Sequence, residues 1–356
     1  MNRRSKIRNP KSKIICIRRN LLRWYDQSRR DLPWRRTRDP YAIWIAETML
    51  QQTQVKTVLP YYHRFLSFFP TIEALDRASK DKVLALWSGL GYYRRAENLK
   101  KAARRIVREH GGRMPRQWDA LRDLPGVGPY TAGAILSIAF DEPYPALDGN
   151  ARRVLTRIFN VQREKELRGI SESLVSRTRP GDFNQALMDL GAEICSVRDP
   201  SCPRCPVGRF CSARRSGNSH PKERPLAKRQ TQEIEWPLAL IVKNGRILLR
   251  HRPEGALLGG LCEVPGGERK ERESSEAALL RHLNGLGKQL RLQGPKGEIR
   301  HSITHRRIRA PLFAGSPMKK LRLPDGGWRW VPLSTVQGYP VSSLTMKAVK
   351  FLHLAP

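Results

Sequence analysis

Acidic residues are scarce in this chain: across 356 residues, 32 Asp and Glu stand against 67 Lys and Arg, a formal charge of +35. That excess is far beyond what solubility needs, and such a field draws polyanions, nucleic acid before anionic membrane. Long apolar runs are missing, which excludes a bilayer-spanning helix, and "IICI" (Ile14 to Ile17) is too short for a signal-peptide core. The protein is therefore expected inside the cell, in the cytoplasm, with no membrane partner; the N-terminus, whose first acidic residue is Asp26, also reads as an organellar transit peptide, without a marked cleavage site. Cysteine is also sparse, six in all, which excludes a secreted disulfide scaffold. Four of the six crowd between Cys195 and Cys211, a pattern that points to metal, and Cys16 and Cys262 read as inert thiols. No solenoid-type repeat is present.

The remaining composition is unevenly spread. Residues 1–40 hold fourteen Lys and Arg against three Asp, so residues 1–20 read as a solvated basic arm. From there to residue 212, apolar residues recur at helical spacing, as in "IAETMLQQTQV", "KVLALWSGL", "AENLKKAARRIV" and "FNQALMDLGAEI". Ser79 and Asp81 open one helix, and Gly111 and Gly112 follow another. Residues 213–235 are polar and basic and read as a linker. Residues 236–356 form a second domain, which opens on "WPLALIVKNGRILLRHR", two β-rich runs joined by Asn244-Gly245, a strong hairpin signal. A further strand at "GGWRWVPLS" and a closing helix at "SSLTMKAVKFLHL" make that domain α+β.

Three motifs carry chemistry. Cys195, Cys202, Cys205 and Cys211 place four thiolates in one compact loop, enough for a tetrahedral zinc or an iron-sulfur cluster. "LPGVGPYTAGAILS" runs a glycine-punctuated turn into an apolar helix. Glycine lacks the Cβ that would block a phosphate from the backbone, although many such turns only reverse the chain. "YPALDGNARRV" places Asp148 in an Asp-Gly-Asn run, which on its own reads equally as a turn or helix cap.

Taken together, these stretches resemble the endonuclease III superfamily of DNA glycosylases. "DLGAEICSVRDPSCPRCPVGRFC" is similar to its [4Fe-4S] loop, which implies an iron-sulfur cofactor and three loop arginines, Arg198, Arg204 and Arg209, presented to phosphates. "LPGVGPYTAGA" is similar to the hairpin of its helix-hairpin-helix motif, which implies that Gly126, Val127 and Gly128 offer N–H groups to a DNA phosphate. Members that also cut the strand carry at position 130 a lysine whose amine attacks the sugar. Tyr130 has no amine, which implies base removal alone. "LPWRRTRDPYAIWIAETMLQQTQVKTVLPYYHRF" and "WSGLGYYRRAENL" closely resemble adenine DNA glycosylases of the MutY type, which remove adenine mispaired with 8-oxoguanine or guanine. The resemblance makes Glu47 the catalytic acid and Asp148 the carboxylate at the sugar cation, either stabilising it or bonding to it transiently. Glycosidic cleavage through an oxocarbenium-like sugar needs such a pair, one protonated and one ionised. Tyr130 and Asn150 support the same site. Gln52 and Tyr92 resemble wedge residues at the lesion pair, and Trp34, Arg35, Leu50 and Gln185 match positions lining the adenine pocket.

The second domain resembles the Nudix-like module that ends MutY proteins and contacts 8-oxoguanine. Of the Nudix hydrolase box it keeps Gly267, Glu273 and Arg281, but His282, Gly285 and Leu286 stand where metal-binding carboxylates are required, so the module is expected to be a reader without pyrophosphohydrolase activity. The family's Phe-Ser-His reading loop appears as Ile303-Thr304-His305, which retains the hydroxyl and imidazole and loses the aromatic wedge. The expected fold is therefore multidomain: an all-α helix-hairpin-helix glycosylase region, a six-helix barrel with an iron-sulfur loop, followed by an α+β Nudix-like domain. The expected partner is double-stranded DNA carrying adenine opposite 8-oxoguanine or guanine, bound by a monomer. Two rival readings are a bifunctional glycosylase/lyase of endonuclease III type and a non-catalytic DNA-binding module.

Overall fold

The computed structural model describes residues 10–217, 231–253, 255, 257–303, 305–319, 321–324 and 326–354. These form two compact units, the first drawn from Met1–Tyr62, Phe69–Asp76 and Lys101–Leu226, the second from His63–Phe68, Arg77–Lys100 and Ala227–Pro356. Most helices come first: α1 (Pro10–Ser28), α2 (Pro40–Leu50), α3 (Val55–Phe68), α4 (Ile72–Arg77), α5 (Lys80–Trp87), α6 (Arg94–His110) and α7 (Trp118–Arg122). They continue through α8 (Pro129–Ala139), α9 (Gly149–Phe159), α10 (Glu164–Leu174), α11 (Pro180–Asp189) and α12 (Ser212–Arg215). None of the helices searched among the described residues is long and apolar enough to cross a membrane.

Helices α2 and α8 form the middle of the first unit. Each has proline in its first turn, where the missing N–H costs nothing, and Asp39 caps α2 by accepting from the N–H groups of Tyr41 and Ala42 at 3.0 and 3.3 Å. Every residue of α2 from Tyr41 to Met49, and of α8 from Thr131 to Ile138, is buried. Such helices are buried all round, as only a helix enclosed by others can be. They pack on each other, and α11 packs on α8.

The basic arm gives way to structure from residue 10. Ile17, Leu21 and Tyr25 recur one turn apart along α1 and are buried among Val154, Leu155, Phe183 and Leu187, and the Arg18 side chain donates to the Leu174 carbonyl at 2.9 Å. The apolar stripe outweighs the surrounding charge. Residues 1–9 lie outside the described residues.

The second unit holds a seven-stranded sheet: β1 (Gln232–Glu235), β2 (Leu238–Lys243), β3 (Arg246–His251), β4 (Cys262–Glu263), β5 (Leu290–Ile303), β6 (Arg306–Pro317) and β7 (Trp328–Pro332). Its order is β1-β6-β2-β3-β4, with β5 on β6 and β7 on β3. Strand alternation divides β2 between two cores: Leu238 and Leu240 join one, with α14 (Ser343–Leu354), and Ala239 and Ile241 join the other, with α13 (Ser275–Leu283). Asn244 and Gly245 turn the β2–β3 hairpin with φ of 49° and 68°, the double left-handed geometry that suits strand twist. The residues just before Trp236, read as linker, are instead strand β1, which pairs in parallel with β6 from Gln232↔Arg306 onward. Residues 218–230 lie outside the described residues.

Candidate active site

Glu47 projects from the buried stretch of α2 with only 5 % of its surface exposed. Its Oε2 accepts a hydrogen bond from the hydroxyl of Tyr130, the second residue of α8. The Tyr130 hydroxyl also lies 3.7 Å from the sulfur of Met188 on α11, so three helices meet at this oxygen. Burial pushes the Glu47 carboxyl up to about 7; the Tyr130 hydrogen bond pulls it down, the Asp148 charge pushes it up and the Arg35 charge pulls it down. Burial likewise raises the Tyr130 phenol well above its ordinary value, so it is a neutral donor.

Asp148 is the cap of α9 as well as the neighbour of Glu47. Its carboxylate accepts from the Ala151 N–H at 2.6 Å, the bond a helix start requires. Burial raises its pKa while the Ala151 N–H, the Arg153 charge and Asn150 hold it down. Asn150 Oδ1 accepts in turn from Arg153 Nη2 at 2.8 Å, and Arg153 donates to the Gly191 and Cys195 carbonyls at 2.6 and 2.9 Å. A chain of polar contacts thus runs from the carboxylate to the backbone of the first loop cysteine. Gly191 permits it: a Cβ there would stand 2.6 Å from Cβ of Asn150.

The residues matched to an adenine pocket are spread over several elements. Trp34 is buried edge-on against Tyr62 at 5.2 Å. Arg35 donates through both terminal nitrogens to Asp189, at 2.7 and 2.9 Å. Leu50 ends α2, half-buried, and Gln185 is buried on α11, its amide donating to the Gly181 carbonyl at 3.3 Å. Sequence reasoning missed Asp189, which is 1 % exposed and shared by Arg30 and Arg35. Its place one turn beyond Gln185 on an apolar helix was the available signal.

Gly126 has φ of +80°, the left-handed region that its turn demands and that side chains resist. The Val127 N–H, expected to face phosphate, donates instead to the Leu124 carbonyl at 3.1 Å and closes the turn. Gly128 caps α8, and a Cβ there would meet nothing within 4 Å, so the helix N-terminus, whose first N–H groups lack intrahelical acceptors, is open. Gln52 and Tyr92 are both exposed and both left-handed, at φ of 56° and 48°.

Cys195, Cys202, Cys205 and Cys211 line one cavity together with Val154, Ile158 and Leu190. Arg157, only 4 % exposed, donates to Cys195 Sγ at 3.3 Å and to the Ser196 and Val197 carbonyls at 2.6 and 2.9 Å. Arg198, Arg204 and Arg209 are exposed on the loops between the cysteines. Among the described residues, no group of three or more His, Cys, Asp or Glu side chains converges as a site for a single metal ion.

In the second unit, Ile303 and Arg306 are the last paired residues of the β5–β6 hairpin. Thr304 lies outside the described residues. His305 is half-buried, its carbonyl accepting from the Gln232 N–H at 2.9 Å, and Ile303 packs against the core. At the Nudix box, Arg281 pairs with Glu273 at 2.7 Å, His282 fills the space beside Gly267, and Leu286 is fully buried.

Residues 45–180 match the HhH-GPD superfamily of base excision DNA repair proteins, and residues 238–351 match the NUDIX domain. The adenine DNA glycosylase of Rattus norvegicus is 35 % identical over 95 % of this chain and 78 % of its own length. That of Buchnera aphidicola subsp. Acyrthosiphon pisum is 41 % identical over 70 % of this chain and 74 % of its own. Among solved structures, a thermostable thymine-DNA glycosylase is 35 % identical, with a TM-score of 0.55, over 58 % of this chain and 98 % of its own. With helical and Nudix regions in the same order and relatives matched across most of both chains, the chain belongs to the adenine DNA glycosylase family.

Proposed function

We propose that the protein excises adenine placed opposite 8-oxoguanine or guanine in duplex DNA, by hydrolysing the bond from base to sugar and leaving the strand intact. The observation that carries the reading is the buried Glu47 carboxyl with the Tyr130 hydroxyl on it and Asp148 close enough for its charge to be felt. Glu47 gives its proton to N7 of adenine as the glycosidic bond breaks and the bonding electrons leave with the base. The sugar cation faces Asp148, whose carboxylate accepts the Ala151 N–H. Glu47, now a carboxylate, takes a proton from water, whose oxygen bonds to the sugar carbon. Position 130 supplies no amine, so no Schiff base forms.

The four cysteines would hold a [4Fe-4S] cluster. Two features support it: the shared cavity, and a buried guanidinium beside Cys195, which suits an anionic sulfur cluster. The group would be structural, fixing the loops that present Arg198, Arg204 and Arg209. Purified protein should carry about four irons and as many sulfides per chain, and stoichiometric zinc instead would refute the assignment.

Thr304 and His305 would read the oxidised purine while Gln52 and Tyr92 hold the gap left by the extruded adenine. The deciding experiment incubates the protein with duplex carrying adenine opposite 8-oxoguanine and divides the sample. Strand breaks only after alkali are expected. Breaks without alkali would mean a lyase, and none in either half would mean a binding module.

A further inference from the structure

Tyr92 stands on a turn fastened on both sides. From within, Trp87 Nε1 donates to the Gly91 carbonyl at 3.1 Å, and Arg95 Nη2 donates to the Leu90 and Gly91 carbonyls at 3.3 and 3.2 Å. The Arg95 N–H takes the Tyr92 carbonyl at 2.9 Å. From the other side, two hydroxyls converge on one carbonyl of the C-terminal domain: Ser88 Oγ donates to the Val341 oxygen at 2.6 Å, and the Tyr93 hydroxyl to the same oxygen at 3.2 Å. The Gly89 N–H donates to that phenol oxygen at 3.4 Å. Val341 is itself immobilised, fully buried and bridged to Cys262, whose N–H donates to the Pro340 carbonyl at 2.6 Å. All of these residues belong to the second unit. Amid this fastening the Tyr92 side chain is 48 % exposed, and the Arg95 guanidinium lies 5.4 Å from its ring.

We propose that Ser88 and Tyr93 are positioning residues that lock the Tyr92 turn to the carbonyl of Val341, so that the C-terminal domain sets the wedge as well as reading the lesion. The inference rests on the reading of Tyr92 as a wedge. A side chain that must part stacked bases transmits force only if its own backbone does not yield. The helical region supplies the ring, and the C-terminal domain supplies the abutment. Removing the two hydroxyls keeps the Tyr92 ring and the charge of the surface, and removes the tie to Val341 together with the acceptor of the Gly89 N–H.

The test measures extrusion apart from chemistry. In full-length protein carrying Glu47→Gln, 2-aminopurine in place of the mispaired adenine, opposite 8-oxoguanine, reports unstacking by its fluorescence. The double variant Ser88→Ala/Tyr93→Phe should lose about half or more of the rise, and with Glu47 restored its single-turnover excision should slow about tenfold. Binding to the abasic product duplex should stay within about twofold, and Ser88→Thr, which keeps the hydroxyl, should match the parent. Parent-like extrusion in the double variant overturns the proposal. So does a loss that spreads equally to product binding or is shared by Ser88→Thr, since that marks general damage to the turn. Tyr92→Ala separates the two readings: if it extrudes normally, the wedge itself is refuted; if it fails while the double variant succeeds, only the lock is.

Discussion

A carboxyl buried as Glu47 is buried keeps its proton where water would remove it, and the proposed use in catalysis and the burden on the fold have that one cause. The native chain holds this proton up to about pH 7, and an ordinary carboxyl releases it near 4.5. Below the lower value the group leaves stability intact; between the two values stability falls, and above the upper one about 3 kcal/mol has been lost. Glu47→Gln should therefore abolish excision while raising the unfolding midpoint at about pH 8, with little change at about pH 4.5. Thermal melts at the two pH values check this. Excision by the parent should decline as pH rises through about 7, because the donor must be protonated. Tyr130→Phe removes a hydrogen bond that holds the Glu47 carboxyl down, so this decline should move to higher pH while the rate below it falls about tenfold. A decline that stayed in place would show that another group titrates.

At the scale of elements, the start of α9 is where the helix cap and the proposed chemistry share one carboxylate. Asparagine caps a helix about as well as aspartate. Asp148→Asn should thus keep the unfolding midpoint within a few degrees of the parent while excision falls by about a hundredfold or more. A collapse in stability of the same size would make Asp148 a cap and nothing else. Glu47, Tyr130 and Asp148 were picked out by the family resemblance of short stretches whose helix starts are set by local residues, Asp39-Pro40, Gly128-Pro129 and Asp148-Gly149. Asn244-Gly245 was legible because its turn is likewise set by local residues. What could not be read were pairings across the chain, such as Asp189 with an arginine 154 residues away or Arg153 with the carbonyl of Cys195. Strand β1 was hidden likewise, since polar Gln232–Glu235 becomes a strand only through the edge of β6. Of the residues around the site, Gly191 showed no sign of its task before Asn150 was placed against it.

The molecule as a whole carries +35. Affinity for any duplex should fall linearly on logarithmic axes, by about 0.9 per phosphate neutralised for each decade of salt, and titrations on matched and mispaired duplex should give similar slopes. A flat response would mean that the charge is not spent on DNA. The backbone adds a different kind of consequence. Gln52 and Tyr92 sit at φ of 56° and 48°, a conformation that costs a residue other than glycine on the order of 1–3 kcal/mol. Heat tolerance could be bred into this protein by placing glycine at both positions. A library ranked by melting temperature would then promote the variants with blunted tips, and its most durable members would be its poorest menders of DNA.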